Sequence, residues 1–143
     1  ELLKQQPCHQ TEMPPALALL QLMTGMWITQ SIHVAASLGV ADLLKDGAQS
    51  VEQLASAVGA QPSHLYRILR ALASVGIFTE VAPHRFALSE MADYLRSDVP
   101  GSLRALSLTL SDGWQWNCFG DMLTTVKTGE PAMQRLYGVE DTF

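Results

Sequence analysis

The sequence predicts a mainly α-helical domain: a winged helix-turn-helix with a small β-hairpin wing, flanked by long N- and C-terminal helices. Three observations carry this. The run from Ala16 to Leu38 contains no Asp, Glu, Lys or Arg, and lies between Pro14–Pro15, which suit a helix start, and Gly39, which suits a stop. The stretch "LYRILRALASVGIF" sets Leu65, Ile68, Leu69 and Leu72 on one helical face before Gly76. "IFTEV", "APH" and "RFAL" then read as strand, turn and strand.

The remaining elements follow in order. Residues 1–13 are polar and predict a frayed tail. On the uncharged helix Leu17, Leu20, Met23 and Trp27 share one face, while Leu22, Met26 and Ile28 spread the apolar surface around the axis. A helix apolar on more than one side has to be buried on more than one side. In so short a chain the second side is expected to meet another subunit, so Leu17, Leu20, Met23, Trp27 and Ile28 form the expected dimer interface.

"VADLLKDGAQS" reads as a short helix and a turn. Ser50 with Gln53 makes a capping box for "VEQLASAVG", which Gly59 ends. Ser63 is the expected N-cap of the next helix, and Ser89 that of "EMADYLRS", ahead of Pro100. A long helical tract is expected from Ser102 onward, with Gly113 and Gly120 weakening it internally.

Composition narrows the functional classes. The 143 residues are 48% apolar and only 16% charged, against a usual charged share of about 25%. A chain so apolar and so thinly charged predicts a surface reserved for association. The net charge of −5 disfavours a large nucleic-acid footprint, which normally shows as a basic excess. Cys8 and Cys118 form no CxxC or Cys/His ligand spacing and read as reduced thiols. No apolar run is long enough for a membrane span and the N-terminus has no signal-peptide core, so a soluble cytoplasmic protein is expected.

DNA reading fails on charge. From Lys45 to Arg104 six basic residues (Lys45, Arg67, Arg70, Arg85, Arg96, Arg104) meet six acidic ones (Asp46, Glu52, Glu80, Glu90, Asp93, Asp98). His64, Arg67 and Arg70 could address bases, but no surplus of cations is left for phosphates.

No catalytic constellation is complete. The glycines at 25, 39, 47, 59, 76, 101, 113, 120, 129 and 138 are too dispersed for a phosphate- or cofactor-cradling loop. The four histidines show no metal spacing, and there is no GxSxG elbow. His33 reads as a core or interface residue. Asp112 and Asp121 either cap helices or face solvent. Trp114 and Trp116, roughly 200° apart on a helix, predict one inward ring and one facing a partner or cavity.

Four segments carry a resemblance: "HVAASLGVADLL", "QLASAVGAQPSHLYRILRALASVGIF", "FALSEMADYLRSDVPGSLRAL", and "KTGEP" with the later "YG". Together they resemble the N-terminal region of class I O-methyltransferases, the plant-phenolic and bacterial natural-product enzymes that use S-adenosylmethionine. The match runs in unbroken order from about residue 15 to the end. The resemblance implies a dimerisation domain over residues 14–143 in an intertwined homodimer, with dimerisation helices at 14–44, a winged helix at 45–99 and a C-terminal helical arm at 100–143. In the family a Rossmann-type domain with the cofactor loop and a catalytic histidine follows. This sequence stops before both, so no cofactor or catalytic residue is assigned on it. S-adenosylmethionine and a small hydroxylated acceptor are implied for the longer parent protein. The resemblance also implies a substrate-pocket wall of two parts: the first helix reaches into the partner's pocket near Met26 and Trp27, and Thr109, Asp112 and Trp116, before "TGEP", line the cavity of their own subunit. Two other readings stay open: a winged-helix DNA-binding regulator, and a stand-alone dimeric interaction module.

Overall fold

The computed structural model describes residues 13–139. Of the expected tail at residues 1–13, all but Met13 lies outside them. Helix α1 (Pro15–Leu38) starts with Pro15 at its first position, where a missing N–H costs nothing, and ends at Gly39 with φ 67. Only its C-terminal half is packed: Ser31, Ala35 and Ala36 are buried, and Ile28, Ile32 and Leu38 rest against the core. The Ser31 hydroxyl donates to the Trp27 carbonyl at 2.8 Å, which satisfies it inside the helix.

After the one-turn helix α2 (Val40–Leu43), strand β1 (Gln49–Ser50) leads into α3 (Val51–Val58). The expected capping box is formed there: the Ser50 hydroxyl accepts from the Gln53 N–H, and the Gln53 side chain accepts from the Ser50 N–H. Helix α4 (Pro62–Ser74) buries Leu65, Leu69 and Leu72 and exposes His64, Arg67 and Arg70. Ser63 is not its cap. The helix begins two residues earlier than that cap would set it, at Pro62, and Gln61 stands at the N-cap with no side-chain bond. Proline at the first position already removes one of the orphan donors that a cap would serve.

Strands β2 (Phe78–Ala82) and β3 (Arg85–Leu88) form the expected hairpin. It belongs to a three-stranded antiparallel sheet in the order β1-β3-β2, in which Gln49 pairs with Phe86 and Phe78 with Leu88. The hairpin turn holds His84 at φ 61, uncommon for a residue with a side chain. Three contacts fix it there. Its ring stacks on Tyr66 at 4.1 Å, its N–H donates to the Glu80 carboxylate at 3.0 Å, and its carbonyl accepts from Val51 at 2.8 Å. Phe78 and Phe86 project from the sheet into the core beside Leu44, Leu54, Leu69 and Leu72, all essentially inaccessible.

Ser89 caps α5 (Glu90–Asp93), its hydroxyl accepting from Ala92 and donating back to the Ile77 carbonyl. The expected long C-terminal helix is instead a chain of short ones: α6 (Arg104–Leu110), α7 (Gly113–Gly120), α8 (Met122–Thr128) and α9 (Ala132–Tyr137). The breaks have local causes. The Asp112 carboxylate accepts from the Gly113 N–H and starts a new helix, and Gly120–Asp121 end it. Gly129, at φ 77, then ends α8 ahead of Pro131.

Candidate functional site

Two features stand apart from the packed core. The first is an unburied apolar face. The N-terminal half of α1 leaves Leu17, Leu20, Met23 and Trp27 exposed, with Leu22 80% accessible. Across α7 and α8, Phe119, Met122, Leu123 and Val126 are exposed as well. Isolated apolar residues on a surface are ordinary, but a contiguous helical face of them marks an association surface.

The second is an open cavity of about 870 Å3 between α1, α7 and α9, within the usual size of small-molecule sites. Met26, Trp116, Phe119 and Leu136 supply its apolar lining. Its polar groups are Asn117, Tyr137 and Asp121. The Asn117 side-chain amide donates to the Tyr137 hydroxyl at 2.9 Å, joining α7 to α9. Asp121 is held by Arg135, whose Nε donates to it at 3.0 Å and whose terminal nitrogen donates to the same oxygen. That bond, with a second from Thr124, holds the Asp121 carboxyl below the usual aspartate range. The pair ties α9 to the junction of α7 and α8, and so fixes Tyr137 at the cavity edge.

The residues singled out in the sequence fall in different places. Met26 and Trp116 meet at the cavity, within one chain. Trp27, 66% accessible, lies on the exposed face of α1 and not in the cavity lining. Thr109 is exposed on α6, its hydroxyl donating to the Ala105 carbonyl, and Asp112 is the cap of α7. Of the five residues expected at a dimer interface, Leu17, Leu20, Met23 and Trp27 are exposed, whereas Ile28 turns toward its own core. Phe119 and Gly120 were accessible to sequence reasoning, since they follow Trp116 by three and four positions on one helical face. Nothing local to Asn117, Tyr137 or Arg135 announces their pairings.

Among the described residues, two buried polar atoms lack a partner, the His33 Nδ1 and the Gln115 Oε1. His33 lies seven residues after Met26, on the same face of α1, and Gln115 directly precedes Trp116. Among the described residues no group of His, Cys, Asp and Glu is placed to hold a metal ion. The sheet is three short antiparallel strands, and none of the dispersed glycines forms a strand–turn–helix cradle. No helix among the described residues is long and apolar enough to cross a membrane.

This arrangement, a helical domain that leaves apolar helical surface unburied with an open cavity beside it, defines a class: an association module. The family model for the O-methyltransferase dimerisation domain matches residues 20–98, more than half of the chain. The chain belongs to that family. It is 42% identical over 125 residues to the phenazine O-methyltransferase PhzM of Lysobacter antibioticus, covering 87% of this chain and 36% of that one. It is 33% identical over 132 residues to the 8-amino-8-demethylriboflavin N,N-dimethyltransferase of Streptomyces davaonensis, covering 92% of this chain and 38% of that one. Among solved structures, LaPhzM superposes with a TM-score of 0.85 at 41% identity, covering 90% of this chain and 38% of its own. CalO1, a methyltransferase in calicheamicin biosynthesis solved in its SAH-bound form, superposes with a TM-score of 0.76 at 32% identity, covering 90% of this chain and 39% of its own. The chain thus spans little more than a third of the length of these relatives.

Proposed function

We propose that this chain is the dimerisation and acceptor-covering domain of a cytoplasmic S-adenosylmethionine-dependent methyltransferase acting on a small aromatic or polyketide-like acceptor. The observation that carries the reading is the unburied apolar face of α1, from Leu17 to Trp27 on a helix without a single charge. A second copy covers it, so that residues 14–44 interlock with the partner. Residues 45–99 serve as a winged helix retained as scaffold, and residues 100–143 as the arm that walls the acceptor site. Family membership and the superposition on methyltransferases support this reading.

The contribution of such a domain to methyl transfer is positional. S-adenosylmethionine, bound by another part of the parent protein, supplies the electrophilic methyl group. Met26 and Trp116 in the cavity wall exclude water and fix the plane of the acceptor, and Trp27, Thr109 and Asp112, which lie outside that wall in the single chain, complete it only in the assembled parent. Holding an acceptor oxygen in line with a methyl group converts a bimolecular encounter into an oriented one.

Sedimentation equilibrium of this chain, with S-adenosylmethionine titrated in parallel by calorimetry, tests the proposal. A dimer that takes up no cofactor is the expected result. A monomer, or uptake of S-adenosylmethionine by these residues, overturns it.

A further inference from the structure

Residues 113–139 are joined to the rest of the chain by little more than the backbone. Helix α6 is still anchored: Arg104 reaches Asp42 and the Ala36 carbonyl, and Leu103, Leu106 and Leu110 line one groove with Ile32 and Ile77. The anchoring stops at Ser111, which is buried. Beyond it α7, α8 and α9 bury no residue. Among the described residues no hydrogen bond or ion pair runs between 113–139 and 13–111.

Within itself the same segment is tied at both ends. Asn117 on α7 donates to the Tyr137 hydroxyl on α9. Arg135 on α9 bonds the Asp121 carboxylate ahead of α8 and donates to the Glu130 carbonyl. A segment cross-linked internally and unlinked externally moves as one body. The joint shows in the backbone. Ser111 has φ −115 and ψ 10, and Asp112 turns to an extended ψ of 150 before Gly113 restarts the helix. A Cβ at Gly113 would meet nothing within 4 Å, so no packing clamps the turn.

The cavity lies across this joint, since Met26 alone among its lining residues precedes Ser111. In the docked pose the buried Gln115 Oε1 of α7 makes no hydrogen bond, and an acceptor buried unmade weighs against the pose that buries it. We propose that residues 113–139 swing as one rigid arm about Ser111–Gly113, opening and closing the cavity against Met26 of α1. The gate is a property of this chain and goes beyond the methyltransferase reading.

Backbone N–H residual dipolar couplings of the full chain in one alignment medium test this, because they average over the microsecond-to-millisecond range of hinge motion. Couplings from α1–α6 and the sheet are expected to fit the structure with one alignment tensor. Those from α7–α9 are expected to fit a second tensor of smaller magnitude. One tensor of equal magnitude for both sets overturns the swing, and α7–α9 couplings that share no tensor overturn the rigid arm. Two variants then separate the joint from the docking contact, with the couplings of α1–α6 reporting that the fold is intact. Asp112→Ala combined with Gly113→Ala removes the α7 cap and the glycine, and is expected to stiffen the joint and raise the arm's magnitude to that of the body. Gln115→Leu removes the unmade acceptor and is expected to raise it as well, with the arm in its docked orientation. A magnitude that stays reduced in both variants overturns the hinge assigned here.

Discussion

Arg104 and Asp42, separated by 62 positions in the chain, are joined by a 3.1 Å ion pair at the point where α1 gives way to α2. The same guanidinium donates from Nε to the Ala36 carbonyl at 3.0 Å, meeting one of the orphan acceptors at the end of α1. Asp42 in turn accepts from the Ser97 N–H at 2.8 Å. One arginine and one aspartate thus hold the end of α1, the segment before α6 and α6 itself in register.

Because both side chains are about a quarter exposed, the pair is neither a screened surface contact nor a dry buried one. Arg104→Met keeps the stem and removes the donors. It is expected to cost about 1.5–3 kcal/mol, the range for hydrogen bonds to charged groups, read as a lowered midpoint in urea. An unchanged midpoint would mean that the network forms without stabilising the fold.

The acid response of the C-terminal arm follows from Asp121. Arg135 holds its folded carboxyl below the unfolded value, so its stabilising contribution is fully present above the unfolded value, near pH 4, and is lost as pH falls through the lower folded one. Asp98, lowered in the same direction by Arg96, adds to the same acid limb. Melting wild type and Asp121→Asn in parallel separates the two. The gap in melting temperature is expected to be constant from neutral pH down to about pH 5 and to narrow below pH 4. A gap independent of pH across that window would remove the ion pair as its cause.

Nucleic acid should not bind. Arg67 and Arg70 are exposed on α4, which is where a reading helix would carry them. The six acidic residues between Lys45 and Arg104 cancel the six basic ones. Without a phosphate-neutralising surplus, a duplex has no sequence-independent hold. A gel shift at physiological salt with micromolar protein is expected to show free DNA only. A retarded band abolished by Arg67→Ala and Arg70→Ala would restore the regulator reading.

Much of this architecture could be read locally, and the parts that could not share one property. The capping box at Ser50 and Gln53, the stop at Gly39 and the cap at Ser89 each depend on neighbours within four positions, so the sequence displays them. Strand β1 is two residues long and exists only because Gln49 finds Phe86 across the fold. The break at Ser111–Asp112 needed a choice between a continuing helix and a new cap, and the adjacent Gly113 carries that choice. The cavity is the extreme case. Trp116 was legible as an aromatic in search of a partner, but Asn117 meets Tyr137 twenty positions on, and Asp121 meets Arg135 fourteen on, through helices whose packing no local pattern encodes. Side-chain pairings between elements are set by how the elements dock, and docking is a property of the whole chain.

The dimer makes the sharpest prediction. Trp27 is large, aromatic and 66% accessible on a helix that carries no charge. Aromatic anchors of this kind concentrate binding energy, and truncating one typically costs 2 kcal/mol or more, about a thirtyfold change in affinity. Trp27→Glu goes further than truncation, since a carboxylate enclosed in an apolar interface also has to be desolvated. Within the single chain the residue lies outside the core, so the variant is expected to keep the helical circular dichroism of the wild type while its dimer dissociation constant rises at least thirtyfold by sedimentation. Glu52→Lys, an exposed charge reversal on α3 away from that face, is the matched control and should leave association unchanged. A Trp27→Glu protein that remains a dimer of wild-type affinity would mean that copies meet elsewhere, and the exposed row of Phe119, Met122, Leu123 and Val126 would then be the face to alter next.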